Sequence, residues 1–154
     1  VMTKLRDLPE FGVLWERRTT ITEEGGVEIH LLSVPDLVQA KKTQRQKDWP
    51  MISALVEGHY ASLRNHPTPE RVAFWLEESR VAESLAALAQ RFPDETCKKQ
   101  TFRRLLAHAI SANLPALREA LDAEVRAEQE IDRKYWEPLK REMETFRRAE
   151  REGR

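Results

Sequence analysis

The placement of proline constrains this chain more than any other feature. Four of its eight prolines follow within two residues of a side chain suited to start a helix: Pro35 after Ser33, Pro50 after Asp48, Pro69 after Thr68 and Pro115 after Asn113. A fifth, Pro93, restarts the chain together with Asp94. Proline lacks an N–H and has a fixed φ. It is tolerated in the first turn of a helix, where that donor has no intrahelical partner, and is excluded from helix interiors. Ser33 with Asp36 also matches a capping box. Repeated start signals of this kind predict a series of helices over everything after Ser33.

Apolar spacing supports the same division. Trp49, Ile52, Leu55, Val56 and Tyr60 form a stripe at helical period, ended by Asn65-His66-Pro67. Val72, Phe74, Trp75 and Leu76 form a second, and Val81, Leu85, Leu88 and Phe92 continue it past a break expected near Ser79-Arg80. Phe102, Leu105, Leu106 and Ile110 give the next. Leu117, Leu121, Val125, Tyr135, Leu139, Met143 and Phe146 follow an approximately heptad-like spacing to the end, which Pro138 is expected to kink or split. The tail, RRAEREGR, is expected to fray.

Strand character is confined to the beginning. Gly12–Ile21 and Val27–Leu32 are rich in β-branched and aromatic residues, and Gly25-Gly26 between them is a hairpin turn signal. The expected fold is mainly α with a small N-terminal β-hairpin (α+β), and a helical bundle after residue 33. Three regions are expected: a hairpin with two helices over 1–64, a helical region over 65–112, and one long kinked helix over 113–154.

Composition removes several function classes. Lys plus Arg and Asp plus Glu both number 26 in 154 residues, so no global field draws the chain to nucleic acid or an anionic membrane. Cys97 is alone, which rules out an intramolecular disulfide and a Cys-rich zinc site. No apolar run reaches the roughly 18–20 residues of a membrane span, and the default setting is cytoplasmic.

One local cluster stands out against this neutral background. Lys41, Lys42, Arg45 and Lys47 fall within seven residues, between the end of one expected helix and the start of the next at Asp48, its expected N-cap. Free N–H groups at a helix N-terminus, with cations beside them, suit phosphate. Cations at a helix C-terminus also complement its dipole without any ligand, so the cluster has a purely structural reading as well.

The segment LLSVPDLVQAKKTQRQKDWPMI resembles the C-terminal signature of small bacterial nucleotidyltransferase-fold proteins, through Leu32, Asp36, Leu37, Lys41 or Lys42, Arg45, Lys47 and Asp48. The likeness covers roughly residues 25–60. It implies phosphate contact by Lys41 or Lys42, a structural role for Asp48, and Glu28 as a residual acid on the metal side. Active members of that family carry a Gly-Ser turn and paired aspartates that hold two magnesium ions, and the chemistry depends on those acids. This chain has no Gly-Ser pair and no Asp-x-Asp, and His30 sits where a further acid is expected. The resemblance therefore implies the rear half of such a fold, degenerate or cut from its catalytic half, with the Val1-Met2 opening favouring the latter. Catalysis by the chain alone is not expected, and magnesium with a nucleotide enters only if a catalytic half is supplied elsewhere.

The remaining chemistry-bearing residues form no pattern. His30, His59, His66 and His108 have no ligand spacing, no histidine is tied to Cys97, and most of the tryptophans lie on apolar stripes. Three readings are open. The first is a nucleotidyltransferase-like protein whose basic turn binds nucleotide or RNA phosphate. The second is a noncatalytic helical module that dimerises or binds a partner protein through residues 113–154. Nucleic-acid binding through Arg17, Arg18 and the 41–47 cluster is the third, and the balanced charge argues against it.

Overall fold

The computed structural model describes residues 5–152. Its elements, in order, are α1 (Phe11–Glu16), β1 (Thr19–Thr22), β2 (Glu28–Leu31), α2 (Val34–Lys41), α3 (Asp48–Leu63), α4 (Pro69–Glu78), α5 (Ala82–Arg91), α6 (Pro93–Gln100), α7 (Leu106–Ile110) and α8 (Leu114–Glu152). The protein is mainly helical with one small antiparallel hairpin. None of these helices is long and apolar enough to cross a membrane.

The start signals act largely as their chemistry dictates. Ser33 Oγ accepts from the Asp36 N–H at 3.3 Å and donates to Asp36 Oδ2 at 2.5 Å. Thr68 Oγ1 accepts from the Arg71 N–H, and Asn113 Oδ1 from the Ala116 N–H, both at 3.3 Å. Asp48 departs from expectation. It is the first helical residue, and the N-cap position belongs to Lys47, whose φ of −68° and ψ of −18° are already helical. The turn before it donates Asp48 N–H to Arg45 O and Trp49 N–H to Gln46 O, so the chain is already coiled where an extended cap residue would stand.

One expected stripe, the first expected strand and the expected split at Pro138 also differ. Residues 12–16 are helical rather than strand, because Phe11 and Trp15 pair their rings at 5.7 Å across one turn. The strand begins at Thr19, where the β-branched run starts, and registers Thr19 with Leu31 and Thr22 with Glu28. Gly25 and Gly26 take φ of 102° and 78°, as the hairpin turn requires. Phe102 is 87% exposed and Ile110 is exposed too, so only Leu105 and Leu106 of that stripe enter the core. Pro138 does not split α8, which runs on to Glu152. Its ring lies on an exposed face, where water can serve the carbonyl it leaves without a donor. Residues 147–152 of the tail expected to fray are helical, and Gly153 and Arg154 lie outside the described residues.

A single apolar cluster spans α2 to the first turns of α8. Val38, Ile52, Val56, Trp75, Leu76, Leu85, Leu88, Leu106 and Leu117 are all at most 1% exposed. Each such side chain contributes about 1.5–3 kcal/mol of transfer free energy. α5 packs on α7 and α8, α2 on α3, and α6 on α4 and α7. The extended break at Ser79 is held by Arg103, whose buried guanidinium donates to Leu76 O (2.6 Å), Ser79 O (3.0 Å) and both oxygens of Glu124 (3.0 and 2.7 Å). Four donors in a planar fork thus satisfy the carbonyls that end α4 and pin α8 to them.

Candidate functional site

Two surfaces lie beyond the core: the groove beside the α2–α3 turn, and the outer half of α8. The turn forms because α2 ends at Lys41, and Thr43–Lys47 then coil directly into α3. Thr43 Oγ1 donates to Asp48 Oδ2 at 2.5 Å and accepts from the Arg45 N–H, and the Trp49 indole donates to Thr43 O at 3.0 Å. Opposite stands α8. Its Asp132 is 3% exposed and accepts from the Gln44 N–H at 2.8 Å and the Trp136 indole at 3.0 Å. Between turn and helix lies an open groove of about 610 Å³, lined by Lys41, Lys42, Arg45 and Asp48 on one side and Asp132, Trp136, Leu139 and Met143 on the other.

The basic cluster does not converge on this space as four free cations. Lys42 turns inward and its ammonium lies 2.6 Å from Glu78, with only 11% of its side chain exposed. Lys41 stands 4.0 Å from Asp48. Arg45 lines the groove with no carboxylate within ion-pair distance among the described residues, and Lys47 is exposed outside it. The Gln44 N–H, a donor that an anion at this turn would use, is held by Asp132. Glu28 is 62% exposed on the hairpin, and its contact there is His30 at 4.0 Å. Among the described residues no three His, Cys, Asp or Glu side chains are grouped to hold a metal.

Arg6 closes the end of the groove. It donates to Lys42 O at 2.9 Å and pairs with Glu128 (3.3 Å) and Asp132 (3.5 Å). Glu124, Glu128 and Asp132 recur at four-residue spacing on α8, and each meets an arginine. Glu124 takes Arg103 and Arg80, and the other two share Arg6. Burial pushes the Glu124 carboxyl up, but hydrogen bonds and charge from Arg103, with the charges of Arg80 and Lys42, outweigh it and leave the group below its ordinary range. Sequence reasoning missed this ladder. The signal was present in its i, i+4 spacing on the side of the helix that carries Leu117, Leu121 and Val125.

Past Glu128 the apolar side of α8 loses its cover. Ile131, Tyr135, Leu139, Met143 and Phe146 are between 43% and 65% exposed. The steps from Tyr135 to Phe146 are 4, 4 and 3, an eleven-residue interval over three turns, so the stripe runs almost straight along the axis. Polar bridges hold this half near the turn: Gln129 Nε2 donates to Gln46 Oε1 (2.9 Å) and Lys140 Nζ to Gln44 Oε1 (3.0 Å). The other arginines weighed in the sequence serve the hairpin. Arg17 pairs with buried Asp36, and Arg18 lies 4.1 Å over the Trp15 ring.

The tryptophans and histidines are mostly structural. Trp49 and Trp75 are core residues, and the Trp75 indole donates to His59 Nδ1 at 2.8 Å. Burial, followed by the charge of Arg71, lowers the pKa of His59, so its ring is held neutral with Nδ1 as acceptor. Cys97 is exposed. No family model, curated protein or solved structure matches the chain.

Proposed function

We propose that this protein is a noncatalytic helical association module and that the outer half of α8 is its contact element. The observation that carries this reading is the row of five large apolar side chains from Ile131 to Phe146, left 43% to 65% exposed along one side of the helix, with Leu139 and Met143 also lining the groove. Isolated exposed apolar residues are ordinary, but a contiguous row at helical period is a helix-docking pattern. The body of the protein supports the row by fixing the root of α8 through Arg103, Arg80 and Arg6. The test is cross-linking in cells of origin with full-length protein and a Leu139→Glu/Phe146→Glu variant. Cross-links mapping to 131–146 and lost in the variant support the reading. Identical cross-links for both proteins refute it.

A second reading rests on Arg45, which lines the groove beside Lys41 without a carboxylate of its own. An anion of nucleotide or RNA phosphate type could pair with it, in keeping with the resemblance to nucleotidyltransferases. The burial of Lys42 against Glu78 and the capture of the Gln44 N–H by Asp132 make this the weaker of the two. Titration with ATP and magnesium tests it. Saturable binding abolished by Lys41→Ala with Arg45→Ala supports it, and no saturable binding removes it.

A further inference from the structure

We propose that the groove between the α2–α3 turn and α8 binds a small amphipathic carboxylate, an acid carried on an aliphatic tail. This goes beyond the association reading, which it does not need, and gives the groove an occupant other than a nucleotide. The charges lining the groove decide the sign of that occupant. Asp132 is 3% exposed and is satisfied by the Gln44 N–H, the Trp136 indole and Arg6. Asp48 is buried as well and accepts from Thr43 Oγ1. Both acids are thus spent within the protein, as are Arg6 on Glu128 and Lys42 on Glu78. What remains is positive. Arg45 is exposed with no carboxylate in ion-pair distance among the described residues, and Lys41 stands at 4.0 Å from Asp48, the limit of an ion pair. Lys140 adds charge at the rim, where its ammonium donates to Gln44 Oε1 at 3.0 Å. An unbalanced positive charge of this kind draws an anion.

The α8 wall of the groove sets the rest of the ligand. Leu139 and Met143 are each 45% exposed there, and Trp136 lines the same wall. The Trp136 indole N–H is already given to Asp132, so the ring offers apolar surface and no donor. A ribose or a base edge would bring hydroxyls and ring nitrogens that this wall cannot pair, and polar groups left unpaired on binding cost free energy. An alkyl chain has no such groups and gains by leaving water. Met143, unbranched and polarisable, can follow its shape.

The donors left free separate carboxylate from phosphate. A phosphate carries up to about two charges and is held by several backbone N–H groups or cations together. Here the Gln44 N–H goes to Asp132, the Arg45 N–H to Thr43 Oγ1 and the Lys42 ammonium to Glu78. The Arg45 guanidinium is left, with Lys41 on the same lining. Its planar fork matches the two oxygens of a carboxylate. At about 610 Å³ the groove lies within the ~300–1,000 Å³ of small-molecule sites. A cationic side at the turn and an apolar side on α8 suit one amphipathic molecule lying across it.

Calorimetric titration of the full chain with octanoate provides the test, with octan-1-ol and acetate as the tail alone and the charge alone. The expected result is one saturable site with a dissociation constant on the order of several hundred micromolar, as for a ligand of this size. Either half alone should bind at least about tenfold more weakly. Arg45→Gln should weaken octanoate about tenfold and leave octan-1-ol unchanged, while Leu139→Gln should weaken both. Both positions are exposed, so the variants keep the fold. Amide shifts on adding octanoate should map to residues 39–48 and 132–143. Four results overturn the proposal: no saturable binding, equal affinity for octanoate and octan-1-ol, no effect of Arg45→Gln, or shifts confined to the hairpin. ATP that binds in place of octanoate also overturns it and returns the groove to the nucleotide reading. None of these outcomes touches the association reading, which stands or falls on the cross-links in cells.

Discussion

Asp132 is the polar hinge pin between α8 and the α2–α3 turn, and its replacement by alanine tests how that contact is held. The carboxylate is 3% exposed and accepts two hydrogen bonds, from the Gln44 N–H (2.8 Å) and the Trp136 indole (3.0 Å), while Arg6 Nε lies at 3.5 Å. Hydrogen bonds to an ionised acceptor contribute about 1.5–3 kcal/mol each, and a buried donor left without a partner costs about 1–3 kcal/mol. The Trp136 indole is only half-buried and can turn to water, so the dominant loss lies at Gln44 and Arg6. Arg6 keeps Glu128 as a counter-charge. Together these place Asp132→Ala at about 3 kcal/mol of destabilisation. Asp132→Asn, which retains one acceptor, should lose about half as much. Urea unfolding gives the total, and amide exchange at Gln44 gives the local component. If alanine shifts stability by less than ~0.5 kcal/mol, or exchange at Gln44 is unchanged, the account of this contact is wrong.

Other changes have distinct expected outcomes. Arg103→Lys should cost about 2–4 kcal/mol in urea unfolding despite keeping the charge, since an ammonium cannot reach Leu76 O, Ser79 O and both Glu124 oxygens together. Phe102→Ser should fall within ~0.5 kcal/mol of the parent in the same assay, because an 87% exposed ring has little burial to lose. For Glu124 the folded pKa is lowered, so its contribution is present above the unfolded value of 4.5 and disappears as pH falls through the folded one. Stability measured from pH 6 downward (about neutral to acid) should decline over that window, and Glu124→Gln should flatten the decline. His59 is a base with a lowered pKa: the unfolded chain binds its proton first, so stability should fall as pH drops below 6.5 and level off beneath the folded value. An NMR titration showing His59 protonating at or above 6.5 would contradict this.

The helical architecture was legible because capping chemistry is local. Ser33, Thr68 and Asn113 each place an oxygen on an N–H three residues on, and nothing remote can easily override that. Residues 12–16 misled because Val13 and Trp15 favour strands by type, whereas the ring pair Phe11–Trp15 and the late start of the threonine run decide the local structure. The cations of the turn were legible as a cluster but not as individuals. Glu78, which takes Lys42, is 36 residues away, and Asp132, which takes the Gln44 N–H, is 88 away. Such partners are fixed by packing, which a spacing pattern does not encode. The uncovered row on α8 was visible as a stripe, but only the structure separates its covered start, Leu117 and Leu121, from its open end.

The acid ladder on α8 also bears on the order in which the molecule can close. Arg103 is synthesised before Glu124, its one carboxylate partner among the described residues, yet it ends with less than a tenth of its side-chain surface exposed, and Arg80 beside it has only Glu78 until then. Sinking a guanidinium without its counter-charge costs several kcal/mol, so the elements around the Ser79 break have reason to stay ajar until α8 supplies the carboxylate. Helix α8, made after both arginines, is thus the latch of the body as well as its outward arm. Nascent chains halted after residue 112 should be cut by protease near Ser79–Arg80, and chains extended past residue 132 should resist; equal cutting of both would show that the body closes without its latch.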